Sequence, residues 1–399
     1  MRLLLFLEHR FYNIGNEVYC ERIINYKYLT RYLKVFDDIT VCARFGKGNP
    51  TNRLLVNGKH VNFLPLPDFI GSIGIVKKYL ECNKIIKENI NKYDVVIIRT
   101  PSPISAMVYP VIKKSAIPYA AEIVINPQTM FGKDSYPSIL QPIISGFFTH
   151  HTKSICMHAN GVSYVTERVL QKLYPCRALV GNERGYFTEY YSTIDLSIDQ
   201  CCEKVHIHEQ GTPYIIVHTG YMDTYSKGHL MVMNIASRLL EEGILVEVHF
   251  IGSGFLENEF KNYAEFKGLK GKVFFCGNLK GYTEVQKELQ KADLFLFPTC
   301  SEGLPRALIE AMANSVACVS SPVDGIIELL PQKYLAHYRD EDGLFKICKE
   351  ILRNERMRLK VAHGCYKKSQ EYTVDKLEER RVRFYSRLRN LAIEAREKE

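Results

Sequence analysis

Short, continuous apolar runs recur along this chain with helical stretches between them, and the whole pattern runs through twice. In the first half the runs are Arg2–Leu7, Ile39–Ala43, Val61–Leu66, Val95–Ile98, Tyr119–Ile125 and Val162–Val165. They are β-branched and aromatic and are bounded by Gly, Pro or Asp, which marks them as strands. Helical stretches such as Ile75–Ile90 separate them. Uninterrupted apolar runs, as opposed to alternating ones, predict a parallel sheet buried on both faces. After a polar, irregular stretch from about Thr188 to Gly211 the pattern restarts. Tyr214–His218, Val246–Ile251, Val273–Phe275, Leu294–Phe297 and Ala317–Ser320 are the next strands, with helices at Leu230–Leu240, Thr283–Lys291 and Pro305–Ala313. A basic, helical tail begins at about Arg353. A chain of 399 residues is too long for one hydrophobic core. The expectation is therefore α/β, with two Rossmann-like domains of about 1–205 and 206–369. Ligands in such sheets sit at the carboxyl ends of the strands.

Composition excludes several classes. Apolar residues make up 46% and charged residues 24%, close to globular averages and far from disorder. No stretch approaches eighteen apolar residues, so no membrane-spanning helix is expected. The N-terminal run Leu3–Leu7 is shorter than a signal-peptide core, so the expected location is cytoplasmic. The twelve cysteines include no CxxC pair, and reduced thiols without a zinc site are expected. No Asp-x-Asp follows a strand, and Asp37-Asp38 precedes one. No metal and no nucleic-acid partner is expected. The net charge of +9 is uneven. Residues 1–200 hold 24 Lys+Arg against 16 Asp+Glu, residues 201–350 hold 15 against 20, and residues 351–399 hold 14 against 8. The two basic flanks are either solvated surface or a face for an anionic membrane or phosphorylated acceptor.

The chemistry concentrates in Leu294-Phe-Leu-Phe-Pro-Thr-Cys-Ser-Glu302-Gly-Leu-Pro-Arg-Ala-Leu-Ile-Glu310-Ala-Met. A buried strand ends at Pro298, a loop carries Glu302, and Pro305 sits where a first helical residue would, since its missing N–H costs nothing there. A helix N-terminus at a sheet's carboxyl edge offers N–H groups to phosphate oxygens. Ala307, Leu308, Ala311 and Met312 share the packing face, which turns Glu310 away from it. Arg306 and Glu310 are also spaced for an ordinary i, i+4 ion pair.

Glu302-x7-Glu310 within this strand–loop–helix string resembles the signature of the family-4 glycosyltransferases, retaining enzymes of GT-B fold. The resemblance implies that Glu302 meets hydroxyls of the donor sugar and Glu310 the ribose hydroxyls of the nucleotide. It implies that the last helices, about 370–399, return to the N-terminal domain, and that the two domains face each other across a cleft. "YIIVHTGYMDTYSKGHL" is similar to the family's diphosphate-binding strand and loop. Lys227 matches the family lysine, while Tyr221 stands where an arginine is expected. Arg306 or a cation of the N-terminal domain substitutes, or the donor is held differently. "FIGSGFLENEF" and "VFFCGNLKGYTEVQKEL" resemble the following segments, the latter implying a nucleotide-base contact near Gly277.

In the N-terminal half the resemblance places a Gly-rich turn at Gly15, with Asn16 in place of a second glycine. "IPYAAEIVINP" and "VSYVTERVLQKLYP" resemble the branch that builds capsular and other surface polysaccharides. In that branch Glu122 and Pro127 match, and Asn126 replaces an aspartate. Glu122 and Asn126 are expected at a strand's carboxyl end facing the cleft, as catalytic candidates. The bland alternative is a satisfied structural Glu and a turn-capping Asn.

The resemblance as a whole implies a cytoplasmic transferase that moves a sugar, with retention, from a nucleotide sugar to a saccharide or lipid-linked saccharide acceptor. A non-catalytic sugar-nucleotide-binding partner and a nucleotide-sugar epimerase are the alternatives. Salt-sensitive attachment to the inner membrane face is expected, with Phe69-Ile70 and Phe147-Phe148 as candidates for shallow insertion and core packing as their alternative use.

Overall fold

The computed structural model describes residues 1–21, 23–50, 53–136, 138–181 and 183–397, with Ser72 described by its backbone alone. Two compact units result: Met1–Pro127 with Ile144–Tyr191 and Glu378–Glu399, and Gln128–Ile143 with Ser192–Leu377. The fold is GT-B, an α/β architecture with a largely parallel sheet in each unit.

In unit 1 the described strands are β1 (Arg2–Ile14), β2 (Glu17–Cys20), β3 (Asp38–Gly46), β4 (Leu54–Leu55), β5 (Val61–Pro67), β6 (Val95–Thr100), β7 (Tyr119–Ile123), β8 (Gly161–Tyr164) and β9 (Phe187–Tyr190). The parallel path runs β5-β3-β1-β6-β7-β8-β9. Leu3 pairs with Ile39 on one side and Val95 on the other, and all three are fully buried, as a strand covered on both faces requires.

Two differences from the sequence expectation stand out. Strand β1 does not stop at Leu7 but runs on to Ile14, where it turns back antiparallel into β2. Gly15 is the first residue of that two-residue turn, with φ +62°, a conformation a tight hairpin demands and glycine adopts without strain. Gly15 is thus an exposed hairpin tip. The stretch expected to be irregular from Thr188 begins with β9.

The C-terminal helix Val374–Arg396 explains that ninth strand. Phe384 packs edge-on against Phe187 with ring centroids 5.1 Å apart. Gly161 makes room for both rings, since a Cβ there would lie 2.5 Å from Phe187 and 3.1 Å from Phe384. Arg380, Arg381 and Arg387 lie over Tyr190, Tyr191 and Phe187, and Arg383 donates to Glu189 at 2.8 Å. Four arginines of the tail are therefore engaged by unit 1 itself.

Unit 2 holds β10 (Tyr214–Thr219), β11 (Val246–Ile251), β12 (Val273–Gly277), β13 (Leu294–Phe297) and β14 (Ala317–Ser320). Their order is β12-β11-β10-β13-β14, all neighbours parallel. The chain winds outward from β10 to β12, then crosses back to lay β13 on the other side of β10. That reversal makes the carboxyl ends of β10 and β13 the topological switch point, where open α/β sheets leave a crevice for ligand. All twelve cysteines are free.

Candidate functional site

At the end of β10 the chain runs through Gly220–Thr224 into a short 3-10 turn, Tyr225–Lys227, and then the helix His229–Glu241. Gly228 joins the two at φ +82°. A Cβ on it would lie 2.3 Å from the Pro298 carbonyl oxygen, so only glycine lets this loop close onto the end of β13. The Cys300 N–H donates to the Ser226 carbonyl at 2.9 Å, and the Thr299 hydroxyl donates to the same oxygen at 3.1 Å. These ties bring the Lys227 ammonium into a hydrogen-bonded ion pair with Glu302. Two residues that are 75 positions apart in sequence thus meet at the switch point.

The Glu302 loop leads into the helix Arg306–Ala313. Pro305 takes the cap position with φ −73° and ψ 114°, one residue before the helix and not as its first residue. Leu308, Ile309, Ala311 and Met312 are buried, which leaves Glu310 at the partly exposed side. The i, i+4 pair that the spacing allows is not made: among the described residues, neither Arg306 nor the Glu310 carboxylate has an ion-pair or hydrogen-bond partner. Burial pushes the Glu310 carboxyl up to about 7, against a smaller pull downward from Arg306.

The neighbouring loops are laced by close backbone approaches. A Cβ on Gly252 would lie 2.1 Å from the Gly220 oxygen. The Gly277 carbonyl accepts from Gly252 N–H at 2.9 Å, and Gly277 itself ends β12 at φ +66°. Tyr221 is 42% exposed and brings no positive charge.

Beneath Lys227 lies a feature the motifs did not signal. His218 and His229 are fully buried, with ring centroids 4.5 Å apart. His218 Nδ1 donates to the Leu296 carbonyl at 2.8 Å. Burial pushes the two imidazoles down to about 4 and about 2, so both are neutral fillers under a cationic loop. The residue pattern alone gives no way to tell such a buried pair from an exposed one.

Segment Gln128–Ile143 belongs to unit 2, although it follows the strands of unit 1 in sequence. Thr129 donates to Asp324 at 2.6 Å, and Asp134 accepts from Tyr338 and Arg339. Thr129, Asp134, Asp324 and Tyr338, together with Cys300 two positions before Glu302 in sequence, border a cavity of about 300 Å³.

Glu122 and Asn126 are placed differently from expectation. Glu122 does not face open space: it is 5% exposed and accepts from the hydroxyls of Tyr32 and Tyr191 at 3.1 Å and Tyr385 at 2.7 Å. Arg99 Nε lies 3.6 Å from its second oxygen. Burial, and then the Glu122 charge, push all three phenols well above their ordinary pKa, so they remain neutral donors. Asn126 is buried and accepts from the Tyr174 hydroxyl at 2.5 Å. Glu122 is thus satisfied inside unit 1, the alternative left open by the sequence, while Asn126 is a buried acceptor for Tyr174 and not the turn cap of that alternative. Among the described residues two groups could offer three metal ligands, His206–His208–Asp293 and His249–Cys276–Glu288. Neither includes a residue of the Lys227–Glu302 site, and Arg358 already pairs with Asp293 at 3.0 Å.

Residues 213–354 match the model of a family described as Glycosyl transferases group 1. The chain is 25% identical over 358 residues to Protein CapJ of Staphylococcus aureus, covering 87% of this chain and 84% of that one. It is 26% identical over 121 residues, 30% of this chain and 31% of the relative, to the N,N'-diacetylbacillosaminyl-diphospho-undecaprenol alpha-1,3-N-acetylgalactosaminyltransferase of Campylobacter jejuni. Sucrose-phosphate synthase from Thermosynechococcus elongatus superposes with a TM-score of 0.71 at 13% identity, over 98% of this chain and 99% of that one. That last likeness is one of fold.

Proposed function

We propose that this chain is a glycosyltransferase of surface polysaccharide biosynthesis, moving a sugar with retention from a nucleotide sugar to a lipid-linked saccharide. The observation that carries this is the meeting of Lys227 and Glu302 at the switch point of unit 2, with an unpartnered Glu310 one helix turn and more beyond. A carboxylate only accepts, so Glu310 suits a pair of ribose hydroxyls, and Glu302 suits hydroxyls of the donor sugar. The cavity beside Cys300 is our candidate for the sugar ring. The name of the Campylobacter relative, which acts on a diphospho-undecaprenol-linked sugar, supports a lipid-linked acceptor, and the pathway class rests on the resemblance of the segments around Glu122 and Val162 to the surface-polysaccharide branch.

In this scheme the diphosphate draws Lys227 off Glu302, freeing the carboxylate for the sugar. As the glycosidic bond to the diphosphate stretches, the sugar gains oxocarbenium character. Lys227 and backbone N–H groups at helix starts meet the charge growing on the leaving diphosphate, without a metal. The acceptor hydroxyl attacks on the face the diphosphate leaves and passes its proton to the departing phosphate oxygen, which preserves the anomeric configuration. Tyr221, in place of a second cation, is the observation that favours a non-catalytic sugar-nucleotide-binding partner as the second reading.

Incubation with a panel of nucleotide sugars, with and without a lipid-linked glycan and in EDTA, separates the readings. Turnover only with acceptor supports transfer; turnover without acceptor points to an epimerase or hydrolase; binding alone points to the partner protein. Loss of activity in EDTA that a divalent cation restores would exclude the metal-free scheme. Lys227→Ala is expected to weaken nucleoside diphosphate binding about tenfold, near the lower end for a charge-assisted hydrogen bond, and to leave nucleoside binding nearly unchanged. Equal loss for both ligands in calorimetric titration would make Lys227 a structural residue.

A further inference from the structure

We infer that the helix Gly71–Asn89 of unit 1, with the groove beside it, is a docking surface for an anionic lipid bilayer. Its first turns expose Ile70, Ile73, Val76 and Leu80 at 73–79%, far more than solvent-facing aliphatic side chains gain from. Ile73 and Leu80 are seven residues apart and so share one side of the helix. Lys77, Lys84 and Lys87 follow along the same side, all exposed. Cys82, Asn83 and Ile86 on the other side are buried, which fixes which side is free. An exposed apolar stripe edged by lysines is the pattern of a helix that lies in a lipid interface.

A second observation points the same way. A groove of about 750 Å³ opens at Leu80 and runs between this helix and the end of the helix Pro103–Ile112. Lys84, Lys87 and Lys114 line it. Lys84 only approaches Glu88, at 3.9 Å, and among the described residues Lys87 and Lys114 have no ion-pair partner. Unpaired ammonium groups beside an apolar stripe match phosphate headgroups beside acyl chains, and the charge complementarity favours a bilayer over an apolar protein partner. No described helix is long and apolar enough to cross a membrane, so the association is with the surface. Of the residues expected to insert, Phe69 and Phe148 are buried, while Ile70 and Phe147 are exposed.

The inference deepens the reading of a lipid-linked acceptor and rests on it, yet vesicle binding is measured without turnover. Inactive protein that binds vesicles would sink only the proposed activity; active protein that ignores them would sink only the docking surface. Cosedimentation of the full chain with vesicles of phosphatidylcholine, alone or with phosphatidylglycerol, provides the test. Binding is expected only with phosphatidylglycerol and is expected to fall several-fold between low and high salt. Ile73→Ser with Leu80→Ser, and separately Lys84→Ala with Lys87→Ala and Lys114→Ala, should each lower the partition coefficient about tenfold or more, with unchanged circular dichroism and melting temperature. Binding that survives both sets, no binding at low salt, or a dimer in sedimentation that Leu80→Ser disperses would each overturn it.

Discussion

Replacing Glu122 by alanine is expected to lower the unfolding free energy by about 3–5 kcal/mol, the cost of removing one partner from a buried ion pair. The carboxylate accepts from Tyr32, Tyr191 and Tyr385 and lies beside Arg99. Alanine would leave three buried hydroxyls and a largely buried guanidinium without their acceptor. It would also unfasten the C-terminal helix, which reaches this point through Tyr385, stacked on Tyr32 at 4.9 Å. Glu122→Gln keeps the shape and one acceptor oxygen, and should lose less, about 1.5–3 kcal/mol. Urea unfolding of the two variants checks the order. A loss under about 1 kcal/mol for alanine would contradict the anchoring role. Folded Glu122→Gln protein that has nearly normal kcat would separate this role from catalysis, whereas a collapse of kcat at unchanged stability would restore Glu122 as a catalytic candidate.

Glu310→Ala is expected to weaken nucleoside and nucleotide binding alike, by about ten- to hundredfold, from the loss of hydrogen bonds to a charged group worth about 1.5–3 kcal/mol. The wild-type affinity should itself depend on pH. The Glu310 carboxyl sits at about 7 in the folded protein against an ordinary 4.5, because burial disfavours its charge. Only the ionised form accepts from both ribose hydroxyls, so affinity should rise as the pH climbs through about 7 and level off above it. Glu310→Gln should flatten that rise. The same shift affects stability in the opposite sense. Between about pH 4.5 and 7 the folded chain keeps a proton that the unfolded chain has lost, so this group's stabilisation is complete below the unfolded value and lost as pH rises through the folded one. Calorimetric titration of a nucleoside diphosphate at pH 6, 7 and 8 measures the first effect. Affinity independent of pH in the wild type would mean that Glu310 is not the ribose acceptor.

The two residues differ in how far sequence spacing reveals their setting. For Glu310 the relevant spacing is local: seven residues separate it from Glu302, and strand, loop and helix follow one another without a break. The Lys227–Glu302 ion pair depends on β13 lying beside β10, which the order of strands along the chain does not give. For Glu122 the partners lie 69, 90 and 263 residues away. No local pattern distinguishes a glutamate at the end of an apolar run that opens to solvent from one that a distant helix will cover.

Gly15 shows the same limit from another side. Its left-handed conformation was legible in the residue type, but whether the turn led into a helix or a hairpin depended on β1 running on to Ile14 and finding β2 to pair with. The tail's charge was likewise legible as a sum, while its distribution between ion pairs with unit 1 and free surface was not. Local chemistry follows from residue order, because strand and helix periodicity, turn residues and loop lengths act over a few positions. Burial, the pKa of Glu310, the enclosure of Glu122 and the exposed stripe at Ile73 and Leu80 depend on which distant surfaces cover a side chain, and only the tertiary structure decides that.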